Sequence, residues 1–230
     1  DREAEVTSLV HRAGLPAPAT DGVVRVAGRP GIVFERIDGP SLWDGIVAGD
    51  VAVEAAIDRF AGLQAELFRA RPVPGLPSLA ARLAAKIAEA DGVDEADRLG
   101  ASELLGRLPA GDAPCHGDLH PGNVLVSRGR LIAIDWHDGA AGHPVADVAR
   151  TSILLDPAFL GGRSFLGGAT APLLTRVKAA YLAAVDARDG TGETSLRAWR
   201  AVQAVARLAE PGAAPALLGE WHAWREAIPG

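Results

Sequence analysis

The sequence predicts an α+β protein: a small β element near the front and a larger, mostly helical body that encloses one polar hairpin loop. Three observations carry that prediction. Apolar residues recur at helical spacing over most of the chain from residue 53 onward. Two short alternating or β-branched runs, residues 23–26 and 32–34, flank the turn-prone Gly28-Arg29-Pro30-Gly31. Between Pro114 and Pro144 the helical period disappears, and histidine and aspartate accumulate there instead. With 230 residues, 48% of them hydrophobic and 23% charged, the chain is long and apolar enough to bury a core as one large domain or two unequal parts.

Each element follows in order. Val6, Leu9 and Val10 share one helical face over residues 2–12, and Gly14 with Pro16 stops the helix. The two β-runs then read as a hairpin. After Asp38-Gly39-Pro40, residues Val53, Ile57, Phe60, Leu63, Leu67 and Phe68 mark a helix that ends before Pro72. Residues 78–90, opened by the cap-like Ser78, and residues 95–108, closed by Pro109, predict two further helices. Within the polar window, residues 124–126 and 131–134 are apolar runs joined by Ser127-Arg128-Gly129-Arg130, a second hairpin. Residues 145–155, 173–188, 195–209 and 216–227 read as helices, with glycine joints at Gly161-Gly162 and Gly167-Gly168.

Composition excludes several classes of function. The longest uncharged stretch, residues 164–175, is too short and too broken by Gly and Pro to cross a bilayer, so no membrane partner is expected. A net charge of −6 argues against nucleic acid as a partner. The one cysteine, Cys115, cannot pair within the chain, which suits a reducing, cytoplasmic setting; its place beside the polar loop reads as a small buried hydrophobe, not a nucleophile. The sequence opens at Asp1, contains no methionine and has no signal-peptide pattern, from which a missing N-terminal piece is expected. No feature of the sequence speaks to oligomeric state.

Residues 115–143, CHGDLHPGNVLVSRGRLIAIDWHDGAAGH, hold four of the six histidines of the chain. If the hairpin turns at residues 127–130, Asn123 just before it and Asp135 just after it come within about one residue of facing each other, about 5 Å apart. An amide oxygen and a carboxylate so placed suit a Mg²⁺ that a substrate phosphate also holds. Asp118, on the same loop, points toward the space beside that metal and is a candidate to take a proton from an incoming hydroxyl.

The spacing His116-x-Asp118-x-x-x-x-Asn123, followed by a hairpin and Asp135, is that of the protein-kinase catalytic loop and metal-binding Asp. Gly117 and an Asp-Trp in place of Asp-Phe-Gly make it resemble the aminoglycoside phosphotransferase and choline kinase-like family. Residues 3–18 look like that family's lobe-bridging helix, IVFERIDG (32–39) like its last small-lobe strand and hinge, and PVADVAR (144–150) like the Asp-bearing helix after the metal loop.

The resemblance implies a protein-kinase-like fold, with residues 1–38 a remnant of the N-terminal lobe and residues 39–230 a helical C-terminal lobe. It implies transfer of the ATP γ-phosphate to a hydroxyl of a small molecule. Asp118 would be the base, Asn123 and Asp135 the Mg²⁺ ligands, and His120 would approach the γ-phosphate. Backbone groups of Glu35 and Ile37 would meet the adenine edge, while His116 and Asp147 would fix the loop.

The family's glycine-containing phosphate loop and strand lysine are not found ahead of the bridging helix. The only lysines, Lys86 and Lys178, lie far downstream, so Glu3 and Glu5 are expected to lack a lysine partner. As written the chain is expected to be inactive or very weak, as a truncated form of an active parent; the alternative is a pseudoenzyme.

His137 and His143 read as surface or helix-start residues, and Trp199, Trp221 and Trp224 as core. Glu193, Glu220 and Glu226 are candidates to attract a cationic acceptor, although solvated helix faces carry such charges routinely. Two other functions stay open. One is a metal-dependent phosphoesterase, to whose motifs GDLH and GN are superficially similar. The other is a non-catalytic kinase-like ligand-binding module.

Overall fold

The structure, a computed structural model, describes residues 2–159, 166–189 and 192–227. Helix α1 (Arg2–Arg12) buries Val6 and Val10. Strands β1 (Thr20–Val26) and β2 (Arg29–Phe34) pair antiparallel. The expected turn at residues 28–31 is tighter than the spacing suggests. The connection is Ala27-Gly28, both at positive φ of 50° and 80°, the two-residue geometry whose twist matches that of the flanking strands. Pro30 and Gly31 are drawn into β2, opposite Arg25 and Val24, and a two-stranded ribbon tolerates the proline because each strand is an edge.

Helix α2 (Leu42–Ala48) was not expected. Ser41 Oγ accepts the Asp44 N–H while the Asp44 carboxylate accepts the Ser41 N–H, a reciprocal cap that lets seven residues hold a helix while Leu42, Trp43 and Ile46 are buried. Helices α3 (Val53–Arg69), α4 (Leu79–Glu89) and α5 (Glu95–Arg107) stand where the periodicity predicts them, α4 capped by Ser78 as expected.

Next come β3 (Ala113–Cys115), β4 (Val124–Ser127), β5 (Arg130–Ala133) and β6 (Ala140–Gly142). β4 and β5 form the expected hairpin. β3 pairs antiparallel with β6, a pairing that three-residue strands are too short to announce by periodicity. The hairpin's outer edges are both tied to the front of the chain. Val126 N–H donates to Pro40 C=O (2.9 Å) and Ala133 N–H to Pro16 C=O (2.8 Å).

Helices α6 (Pro144–Leu154), α7 (Ala171–Asp189), α8 (Glu193–Arg207) and α9 (Leu218–Glu226) complete the body. The glycine joint at Gly161-Gly162 lies outside the described residues. No helix among the described residues is long and apolar enough to cross a membrane.

The core has two parts. One gathers Val10, Trp43, Phe60, Leu67, Trp136 and Tyr181; the other gathers Ile87, Leu104, Val202 and the predicted core tryptophans Trp199 and Trp221, with Trp224 packed against it. Each large side chain removed from water contributes about 2 kcal/mol. Helix α6 stands between them, with Val148 in the first part and Ala149 and Ile153 in the second. Every residue from Val145 to Leu154 is buried, and buried Asp147 and Arg150 must therefore find partners. They find them in the catalytic-type loop.

Candidate active site

The loop between β3 and β4 is held from several directions. Asp147 accepts the Gly117 N–H at 2.7 Å and the His116 N–H at 3.3 Å. Gln64 Nε2 donates to the same carboxylate at 3.1 Å, and Tyr181 Oη donates to Gln64 Oε1 at 2.5 Å. His116 bonds Ile134 C=O through Nε2 (2.9 Å) and accepts the Asp118 N–H at Nδ1 (3.3 Å), its ring 4.4 Å from that of Trp136. His116 and Asp147 thus fix the loop, as the resemblance implies. Gly117 has φ +80°, and a Cβ there would lie 2.4 Å from the Asp138 carbonyl oxygen. Gly117→Ala is expected to destabilise the protein by about 2 kcal/mol or more, read from urea unfolding.

Asp118, His120, Asn123 and Asp135 line one cleft of about 480 Å³. Asn123 Nδ2 donates to Asp118 C=O at 3.1 Å, leaving the amide oxygen as the donor for a cation. Ile134 N–H donates to Asn123 C=O at 2.9 Å, so Asp135 sits one residue beyond the position facing Asn123, as the hairpin register predicts. Asp135 adopts a left-handed conformation with φ 63°, a cost of about 1 kcal/mol or more. Two hard oxygen donors on adjacent strand ends fit a Mg²⁺ that a phosphate also ligates. Among the described residues no group of three or more His, Cys, Asp or Glu side chains is arranged to hold a metal.

His120 Nδ1 accepts the Gly122 N–H (3.1 Å), and its Nε2 lies 4.0 Å from an Asp118 oxygen. Burial pushes its pKa down to about 4 against the pull of Asp118. The ring is neutral at pH 7 and brings a hydrogen-bonding group to the cleft, not the positive charge of a lysine. Glu35 and Ile37 lie in the connection between β2 and α2, and neither lines this cleft. Glu35 is folded back on Ala19, donating its N–H to Ala19 C=O (2.8 Å) and accepting the Ala19 N–H on its carboxylate (3.1 Å).

Four charged residues lining the cleft escaped the sequence reading: Asp138, Arg150, Arg207 and Glu210. Arg150 donates from Nε to Gly117 C=O (3.1 Å) and from Nη2 to both Asp118 Oδ1 and Glu210 Oε2 (3.0 Å each). Burial acts to raise the Asp118 pKa, but Arg150, then His120 and His116, outweigh it and hold the carboxyl below its ordinary range. Glu210 also accepts from Lys86 at 2.8 Å, and Lys86 reaches Asp138 at 3.2 Å. Asp138 is further paired with Arg82. Against the effect of burial, Lys86 and Arg82 hold its pKa at about 2. A continuous line of alternating charges runs from Arg82 through Asp138, Lys86, Glu210 and Arg150 to Asp118. Asp147 and Arg150, three apart on α6, share a helical face, so that arginine was within reach of the sequence; Glu210, sixty residues on, carried no local signal.

The remaining candidates fall elsewhere. Cys115 is fully buried, and burial raises its thiol pKa, consistent with an inert hydrophobe. His143 caps α6 through Nδ1 and His137 is exposed. Lys178 pairs with Asp156. Burial, then the charge of Asp135, raises the Glu3 pKa. Glu193, Glu220 and Glu226 do not line the cleft, and Glu220 is paired with Arg200 at 3.0 Å.

Residues 1–199 match the phosphotransferase enzyme family that includes the aminoglycoside phosphotransferases. The chain belongs to this family. The phosphotransferase is a small-molecule kinase with a protein-kinase-like fold. That fold is shared at low identity with several solved structures. A thermostable mutant of an aminoglycoside phosphotransferase, in ternary complex with AMP-PNP and hygromycin B, aligns with TM-score 0.64 at 17% identity, over 99% of this chain and 79% of that one. Amicoumacin kinase in complex with AMP-PNP, Ca²⁺ and Ami aligns at 0.58 and 11%, over 97% and 74%. An ethanolamine kinase from Plasmodium vivax aligns at 0.57 and 13%, over 98% and 71%. No curated protein matches the sequence.

Proposed function

We propose that this phosphotransferase moves the γ-phosphate of ATP, bound with Mg²⁺, to a hydroxyl of a small molecule, with Asp118 as the base. One observation carries the reading. The Asp118 carboxylate, kept ionised by Arg150, lies in the same cleft as the oxygen donors of Asn123 and Asp135.

Phosphoryl transfer depends on positioning and charge neutralisation more than on covalent chemistry, and the residues divide those tasks. Asp118 orients the acceptor hydroxyl and takes its proton; its low pKa keeps it in the accepting form throughout the physiological range. Asn123 and Asp135 would hold the cation, which when bound would neutralise charge on the transferring phosphate. His120, neutral beside Asp118, fixes the turn that presents Asn123. Glu35 and Ile37 would bracket the adenine through backbone groups, a role in which side-chain identity matters little. The structures bound to AMP-PNP, one of them with Ca²⁺, support nucleotide and divalent-metal binding on this fold. A single buried cysteine suits a cytoplasmic setting.

Asp135→Asn is expected to weaken Mg·ATP binding about tenfold or more while leaving metal-free ATP binding nearly unchanged, by calorimetric titration with and without Mg²⁺. Equal ATP affinity with and without metal in the unaltered protein would overturn the assignment, and binding with metal but no transfer to any alcohol would mark a non-catalytic module.

A further inference from the structure

The nucleotide side of the cleft is marked by Asn123 and Asp135, so an acceptor must reach Asp118 from the other side. There the wall is the end of α8 and the segment after it, with Arg207, Glu210 and Pro211, together with Leu154 of α6. The cleft as a whole is lined by four carboxylates, Asp118, Asp135, Asp138 and Glu210, and by two arginines, Arg150 and Arg207. Around Glu210 and Asp138 stand four cations, Arg82, Lys86, Arg150 and Arg207, against three carboxylates once Asp118 is included.

Three of those cations are well matched. Arg82 pairs with Asp138, Lys86 bridges Asp138 and Glu210, and Arg150 bridges Glu210 and Asp118. Arg207 is the surplus one. Its ion pair among the described residues is a 3.4 Å approach to the same Glu210 oxygen that Arg150 holds at 3.0 Å. Its Nε is buried with no hydrogen-bond partner among the described residues, although its side chain is only 15% exposed. A guanidinium left short of acceptors in a desolvated wall favours an incoming anion, which can take two of its parallel N–H groups. Burial and repulsion from Arg150 press in the same direction, since both disfavour its charge until a further anion arrives.

We propose that Arg207 is the specificity-determining residue of an acceptor subsite, and that the acceptor is a small alcohol bearing a carboxylate or other anionic group, its hydroxyl at Asp118 and its anion at Arg207. This rests on the kinase reading for the hydroxyl half, whereas the anion half stands on Arg207 alone. Cationic acceptors of the aminoglycoside or choline type are disfavoured by the same charge.

The test uses hydroxy acids of increasing hydroxyl-to-carboxylate length, namely glycerate, 4-hydroxybutyrate and gluconate, each beside its neutral amide, with choline as the cationic probe. Binding is followed by ligand-observed NMR, with and without Mg·AMP-PNP. At least one acid is expected to bind about tenfold more tightly than its amide, the strength of one charge-assisted contact. That ratio should fall to about unity in Arg207→Gln and survive in part in Arg207→Lys, while Mg·AMP-PNP affinity stays unchanged in both variants. If no acid outbinds its amide, if choline binds best, or if Arg207→Gln keeps the preference, the subsite is refuted. In the unaltered protein, Mg·AMP-PNP binding without any acid preference refutes the subsite alone; an acid preference without Mg·AMP-PNP binding refutes the kinase reading and leaves the anion site standing.

Discussion

Asp118→Asn is expected to lower the rate of phosphoryl transfer by about 10³-fold while Mg·ATP affinity stays within about twofold of the unaltered protein. The measurement is ATP consumption with an alcohol acceptor, alongside nucleotide titration with and without Mg²⁺. The asymmetry between rate and affinity follows from geometry. The Asp118 carboxylate faces Arg150 and His120, whereas its backbone carbonyl receives the Asn123 amide. An Asn side chain keeps the backbone contact that orients Asn123 and loses the proton acceptor. Unchanged turnover in Asp118→Asn would remove this residue from the chemistry.

Arg150→Met should have the second-largest effect, and on two observables at once. The side chain is 6% exposed and shares Nη2 between Asp118 and Glu210. Methionine of similar length leaves two partly buried carboxylates without that partner, a loss of about 3 kcal/mol in unfolding free energy. The pH dependence gives the sign. Asp118 and Glu210 have native pKa values below their ordinary ones, so their stabilising contribution is present above the unfolded values near 4 and is lost as pH falls through the native values. Without Arg150 the Asp118 pKa rises. The acid limb of kcat/KM should move up by about one pH unit, and stability should depend less steeply on acid below pH of about 4. A Met variant with an unshifted acid limb would show that Arg150 does not set the charge state of the base.

What could be read from the sequence was whatever nearby residues decide. Helices α3 and α4 carry their apolar faces within their own residues, α4 with its cap in the adjoining Ser78, and the spacing Asp118, Asn123, Asp135 encodes its geometry through one short hairpin. Helix α2 was equally local, with its cap in Ser41-x-x-Asp44, but seven residues, about two turns, are too few for a period to stand out, and it was missed. The first hairpin was found with its turn misplaced, because Pro30-Gly31 is the stronger turn signal in isolation while the twist of the paired strands selects Ala27-Gly28. Arg207 and Glu210 belong to a different class. Their meaning comes from a contact with α6 made across 60 residues of chain, and a charged pair at a helix end looks the same in sequence whether it faces water or a reacting group. The acidic residues picked out near the C-terminus illustrate the point, since Glu220 is turned to Arg200 and Glu210, not singled out, closes the cleft.

Helix α6 has no face on solvent from Val145 to Leu154, and from that span Asp147 and Arg150 reach the loop that carries Asp118. Lifting a single turn of this helix would wet both halves of the interior at once, so it has no inexpensive partial opening. The grip on the reacting carboxylate therefore does not loosen by fraying. It persists until the body unfolds as a whole, and the freedom needed to admit and release ligands has to come from the segments around the cleft, not from its floor.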